Sequence, residues 1–242
     1  MATPVIIGYA TPTVINSNRV VFSASNYTTA PQAGDFLILA GVSNDFGNGN
    51  ATIQLPFSWT YASATPTSGT PYQQFAYSTR VATGTSADNV TIDASAAGNG
   101  FGLPAAVIVV IRNSSSFTLG SLKYNGTTAP GFPPGASLTI PAQGSANDLE
   151  IILQGSGIDT GGASVTTTPS GFSFVAQHTN TDPANVPYSE TITVWSKNLS
   201  APGASVALIP TTHAGINDWQ AGVAITLTAP PPIAYNLIVS PR

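Results

Sequence analysis

The chain has 242 residues, of which 42% are hydrophobic and 7% charged, with a formal net charge of −4. Ten Phe, 8 Tyr and 3 Trp provide the core that a disordered chain of this polarity would lack, and the length suits one large β domain or two modest ones. Six Lys+Arg in all disfavour electrostatic capture of nucleic acid or acidic lipid, and the absence of Cys excludes disulfides and thiolate metal sites.

From the N-terminus, residues 1–13 carry Pro4 and Pro12 around the apolar Val5, Ile6 and Ile7. They read as a docking arm. No basic region or long apolar run marks them as a secretory signal. Short β-branched and aromatic runs then follow, bounded by Gly, Pro, Asn and Ser. They predict strands at Val20–Ser25, Asp35–Val42, Phe57–Ala62, Gln73–Val81, Asn89–Ala94 and Ala105–Arg112. Further on they predict Ser137–Pro141, Asp148–Gly155, Phe172–Gln177, Thr191–Lys197, Ser205–Ile209 and Gln220–Leu227. Helical periodicity is almost absent. Phe36–Leu39 and Val107–Val110 are continuous rather than alternating, the mark of strands covered on both faces. The longest apolar run, Leu103–Ile111, is far below the ~18–20 residues that span a bilayer. At the C-terminus three prolines deliver Tyr235–Val239, with Leu237 and Ile238, beyond a stiff extended spacer. This is a second candidate docking arm, with an edge strand of the same domain as the alternative.

The chain repeats itself. Gly34–Leu39 is echoed by Asn147–Ile152 and Pro56–Trp59 by Pro169–Phe172, both at an offset of 113 (148 − 35 and 169 − 56). Tyr77 aligns with Trp195 at 118, Val90 with Val206 at 116, and Pro104 with Trp219 at 115. The expected organisation is a first β half at 14–116 and a second at 117–229, between arms at 1–13 and 230–242. The fold class is all-β, a β-sandwich or jelly-roll-like architecture with internal duplication. Asp35 and Asp148 each precede an apolar strand, where a short carboxylate caps free backbone N–H groups.

Candidate chemistry is sparse. His178 and Asp182 form a nucleophile triad only on paper, because no Gly-x-Ser-x-Gly elbow supports them and the polar run 177–185 reads as a surface loop. Asp148/Glu150 and Asp88/Asp93 are the nearest carboxylate pairs, without a groove to share. Asn44–Asn50 has oxygen ligands at alternate positions but no terminal Glu, so it reads as a turn rather than a calcium loop, and Gly155–Gly162 matches more poorly still. The expectation is therefore no catalytic residue, no metal site and no cofactor. Tyr61, Tyr72, Tyr124 and Tyr188 lie in or beside predicted loops, where an exposed ring stacks on a sugar or meets a protein partner, and a packed ring is the alternative.

One order of features occurs twice: Gly-Asp, apolar strand, polar loop, Pro then aromatic, aromatic strand, Thr-rich strand, Ala-rich strand. Gln32–Val42, Pro56–Trp59, Phe75–Arg80, Pro104–Arg112, Asn147–Leu153 and Phe172–Phe174 carry it. This order resembles the β-rich virion proteins of tailed bacteriophages over roughly residues 15–228. The resemblance implies a structural protein rather than an enzyme, such as a capsid decoration or cement protein or a tail component. It implies major capsid or tail subunits as partners, a homo-oligomer with a trimer favoured, and location in the virion after synthesis in the host cytoplasm. A glycan- or receptor-binding module of a tail or fibre is the alternative it leaves open.

Overall fold

The structure is a computed structural model describing residues 3–16, 18–44, 59–64, 73–84, 90–93, 103–125, 137–158, 164–181, 189–211 and 219–229. The strands of the first half are β1 (Val5–Ala10), β2 (Thr13–Asn16), β3 (Arg19–Phe22), β4 (Phe36–Asn44), β5 (Thr60–Ala64), β6 (Gln73–Val81), β7 (Val90–Asp93) and β8 (Ala105–Arg112). The second half has β9 (Ser116–Leu119), β10 (Lys123–Asn125), β11 (Leu138–Ile140), β12 (Leu149–Ile158), β13 (Thr166–Thr167), β14 (Ser173–Thr181), β15 (Ser189–Asn198), β16 (Val206–Pro210) and β17 (Trp219–Thr228). Each predicted strand has a counterpart, while β1, β2, β9, β10 and β13 were not anticipated as strands.

The strands form two large and two small antiparallel sheets. The five-stranded sheet has the order β1-β8-β4-β6-β5, and the six-stranded sheet has β10-β17-β12-β15-β14 with β9 also on β17. The small sheets are β2-β3-β7 and β11-β16-β13. The two large sheets pack face to face, and each is covered on its far side by the small sheet of its own half. The central layer takes Phe36, Ile38, Val107 and Val109 from one large sheet and Leu149, Ile151, Val223 and Ile225 from the other. On the first far side, Leu37, Leu39, Ile108 and Val110 meet Val20, Phe22, Val90 and Ile92. On the second, Ile152, Trp195 and Ala224 meet Leu138, Ile140 and Leu208. The result is a stack of four sheets, which is why β4, β8, β12 and β17 are buried almost throughout, without alternation. The outer strands do alternate, β11 reading buried-exposed-buried, because only one of their faces is covered.

Strand pairing fixes the true correspondence of the halves. Phe36 pairs with Val81 and Ile111, and Leu149 pairs with Asn198 and Leu227. The offsets are therefore 149 − 36 = 113, 198 − 81 = 117 and 227 − 111 = 116. Two sequence alignments are thereby corrected by one residue: the counterpart of Tyr77 is Val194, not Trp195, and that of Ala105 is Ala221. The error matters because a one-residue slip in a strand exchanges its faces. Tyr77 and Val194 both line the central layer, whereas Trp195 points to the outer one.

The two Asp turns are built alike. Asp35 Oδ2 accepts from Gln32 N–H and Asp148 Oδ2 from Ser145 N–H, each at 2.7 Å. The preceding residues, Gly34 and Asn147, have φ of 89° and 76°, the left-handed region that Gly and Asn tolerate best. Each turn is tied to the strand beside it: Ala82 N–H donates to Asp35 O at 2.8 Å, and Leu199 N–H to Asp148 O at 2.9 Å. Among the described residues only the first turn carries a cation, with Arg112 Nε and Nη2 both 2.9 Å from the Asp35 carboxylate. Burial works to raise the Asp35 carboxyl, but the Arg112 hydrogen bonds, the Gln32 N–H and the Arg112 charge outweigh it and hold it below its ordinary value.

The expected N-terminal arm is largely an edge strand of its own sheet. Val5 pairs with Arg112 and Ile6 with Ile111, and Ile6 and Ile7 are half-buried against the central and outer cores. Val5 remains 43% exposed. Residues 230–242, with Tyr235, Leu237, Ile238 and Val239, lie outside the described residues. The expected boundary at 116/117 falls inside β9, whose Ser116 already pairs with Thr228 of the second half.

Gly155 sets how closely the large sheets approach, since a Cβ there would run into Val42 and the Phe75 ring. Gly155→Ala is expected to cost about 1–3 kcal/mol as an overpacked interior position, read as a lower urea midpoint. Ser170→Ala, at an exposed position, provides the control and is expected within about 0.5 kcal/mol of the parent.

Candidate functional site

The stack has two unlike ends. At one lie both Asp turns, the start of β1 and the end of β17, since Val5 pairs with Arg112, Phe36 with Ile111 and Leu149 with Leu227. At the other lie Asn44 paired with Gln73, Thr181 and Ile158 paired with Ser189, and Trp219 paired with Gly157. Segments 45–58, 65–72, 94–102, 126–136, 159–163, 182–188 and 212–218 are each joined to this second end by a flanking strand. They are rich in Gly, Pro, Asn, Ser and Thr, and none contains Lys or Arg. This loop-bearing end is the candidate functional surface.

Its floor is polar and largely buried. Gln154 Nε2 donates to Thr166 Oγ1 at 3.0 Å and to Gln220 Oε1 at 2.5 Å, linking the large sheet to β13. Trp219 Nε1 is 3.4 Å from Glu190 Oε1, and a Cβ on Gly157 would collide with both side chains. Ser164 N–H donates to Thr191 Oγ1 at 3.1 Å, and Thr191 also bonds Thr179 at 3.0 Å. Two contacts join the halves here: Ala106 N–H donates to His178 Nδ1 at 3.2 Å, and Asn180 Nδ2 to Pro104 O at 3.1 Å. Backbone groups at Pro104 and Ala106, just beyond the reach of β1, thus find partners in β14.

His178 is therefore not a loop residue. It is in β14, against the first half, and burial lowers its pKa to about 4, so the imidazole stays neutral and accepts at Nδ1. Asp182, its supposed triad partner, lies outside the described residues, as do Asp88 and residues 45–50. Gly155 and Gly157 are interior to β12 and not part of a calcium-like turn. Asp148 and Glu150 are at the opposite end, one committed to its turn and the other 1% exposed within β12. Burial raises the Glu150 carboxyl to about 7, against the opposing charge of Lys197 on the paired strand.

Tyr124 lies on β10, half-buried, its ring 6.4 Å from that of Trp219, so it packs on the core beneath the loop-bearing end. Of Tyr61 only its place in β5 is described, and Tyr72 and Tyr188 lie outside the described residues. The sequence reading missed the buried Gln154–Gln220 pair. The signal for it was available, since Gln154 follows the apolar Ile151–Leu153 in a strand expected to be buried, where an amide requires a polar partner. A second surface feature is an open depression of about 360 Å³ on the outer sheet, lined by Thr167, Pro169, Ser205, Val206 and Ile209, with no charged group. Among the described residues no cluster of three or more His, Cys, Asp or Glu occurs, and no helix is long and apolar enough to cross a membrane.

No protein-family model, curated protein or solved structure matches this chain.

Two pH responses follow. A raised carboxyl contributes stability that is complete below the unfolded value of 4.5 and is lost as pH rises through about 7. Glu150→Gln is expected to flatten that slope and to exceed the parent by about 1–3 kcal/mol at pH 8 in urea unfolding. A lowered imidazole contributes stability present above 6.5 and lost as pH falls through about 4. The His178 ring protons are expected to titrate by NMR near pH 4.

Proposed function

We propose that this chain is a structural attachment protein of a virus particle, of the decoration or tail-component kind found in tailed bacteriophages. The two-ended build carries this reading. Both ends of the described chain emerge beside the Asp turns, whereas the loop-bearing strand ends gather at the far side. Such a body is suited to fixing itself through one end and presenting the other. The repeated sequence order that resembles phage virion proteins points the same way. So does a chain with only 7% charged residues, a composition that weakens the self-repulsion that keeps soluble proteins apart.

Recognition of a surface glycan or receptor is the second reading. It is favoured by one observation, the cation-free, Gly- and Asn-rich composition of the segments joined to the loop-bearing end, which include Tyr72 and Tyr188. Tyr flanked by small polar residues is a common makeup of adaptable binding surfaces.

Light scattering after size exclusion separates the two. The attachment reading expects a defined oligomer of the full chain at micromolar concentration, a trimer above all. A clean monomer that binds an immobilised glycan or cell-surface preparation, and loses binding on Tyr72→Ala with Tyr188→Ala, would replace it with the recognition reading.

A further inference from the structure

Sheet edges are where a β protein most readily acquires a partner, because their backbone N–H and C=O groups are unpaired. The large sheets have edges at β1, β5, β14 and the β9/β10 pair. β1 is partly covered, with Tyr9 N–H donating to Thr28 Oγ1 at 3.0 Å and Thr28 N–H to Tyr9 O at 2.8 Å. β5, β9 and β10 are 5, 4 and 3 residues long. β14 has nine residues and pairs only with β15 among the described strands. It contains no Pro, Lys, Arg, Asp or Glu, the residues that usually blunt an edge. A bulge interrupts it between Phe174 and Ala176, leaving Ala176–Thr181 regular, and Phe174 beside the bulge is 58% exposed.

We propose that the open edge of β14 over Ala176–Thr181 pairs antiparallel with Tyr235–Val239 of a second copy of this chain. The inference rests on the attachment reading and gives it a mechanism of self-assembly. The occupant is set by length, chemistry and direction. Tyr235–Val239 is a five-residue strand-like run, uncharged like the edge, which offers six regular residues. Its own body could be reached: a strand outside β14 lies four spacings from β17, about 19 Å, and the six steps from Ala229 to Tyr235 span about 19 Å in extended Pro-rich backbone. Direction decides against it. β17 ends where β14 begins, since Ser173 pairs with Ser196, Ile151 with Ser196, and Ile151 with Ile225. A segment folding straight back from Ala229 would therefore run parallel to β14. Antiparallel pairing is favoured roughly two- to threefold in known sheets, and a second copy supplies it without a reversal. Main-chain pairing at an edge needs no charged anchor.

The chain has no Cys, so paired cysteines report the contact directly in the full-length protein. Antiparallel pairing places Tyr235 near Thr181, whereas parallel folding back places Val239 there. The double variant T181C/Y235C is expected to oxidise to chains linked to one another on a non-reducing gel, and T181C/V239C is not. A bridge within one chain in T181C/V239C would overturn the proposal in favour of self-docking. Phe174→Lys with Thr181→Lys changes only exposed side chains and is expected to shift the light-scattering mass of the full chain to the monomer. An oligomer that survives those lysines, with no bridge in either cysteine pair, would overturn the β14 contact and leave the attachment reading standing. A parent chain that is monomeric throughout would overturn both.

Discussion

The contact between the two large sheets is the constraint on which everything else depends. It takes equivalent positions from both halves, Phe36 with Leu149, Ile38 with Ile151, Val109 with Ile225 and Ile111 with Leu227. The residues between these point to the far faces and include Leu37, Leu39, Ile108, Ile152 and Ala224, so those faces must also be covered. The small sheets perform that task, and with them each half becomes a sandwich. Where the halves diverge they do so in compensating sizes. Val42 in the first half corresponds to Gly155 in the second (155 − 42 = 113), and the space that Gly155 leaves is occupied by Val42 and Phe75. Close packing of this kind leaves little room for an added methyl group.

The ends of the stack diverge because the halves face the same way. Strand starts and stops that are equivalent in the two halves fall at the same end, so the tight Asp turns collect on one side and the long connections on the other. The turns are held by local backbone bonding and need little else. The loop-bearing end is different: its floor contains Gln154, Glu190, Gln220 and Asn180, all buried. Buried amides require partners; Gln154 and Gln220 reach the small sheet at Thr166 and Leu208, and Asn180 reaches the other half at Pro104. His178 and Asn180 thus do structural work that their chemistry alone would not suggest, joining the halves at the loop-bearing end.

Charge distribution follows the same division. Arg112 closes the first Asp turn, while its positional counterpart is Thr228 (228 − 112 = 116), which bonds Ser116 instead. Lys197 lies over the Phe172 ring, 5.6 Å from its centroid. These cations serve particular local contacts, and the segments joined to the loop-bearing end have none. Those segments do carry Asp45, Asp159, Asp182 and Asp218, so their composition is acidic.

The sequence by itself determined the β class, the positions of the main strands, the duplication and the carboxylate turns at Asp35 and Asp148. These are local matters: β-branched and aromatic runs, turn residues and short-range capping express themselves within a few positions of the chain. Continuous apolar character in β4 and β8 also announced that both faces were covered. Only the tertiary structure decided what covers them, because a neighbouring sheet and a neighbouring subunit impose the same apolar pattern. It alone set the registers that make Val194 the counterpart of Tyr77, since a side chain's face depends on the partner strand and not on residue type. It drew Val5–Ala10 into a sheet, moved His178 from a supposed loop to the junction of the halves, and placed Tyr124 against Trp219. Each of those outcomes depends on contacts between residues far apart in the chain, for which no local pattern carries a signal.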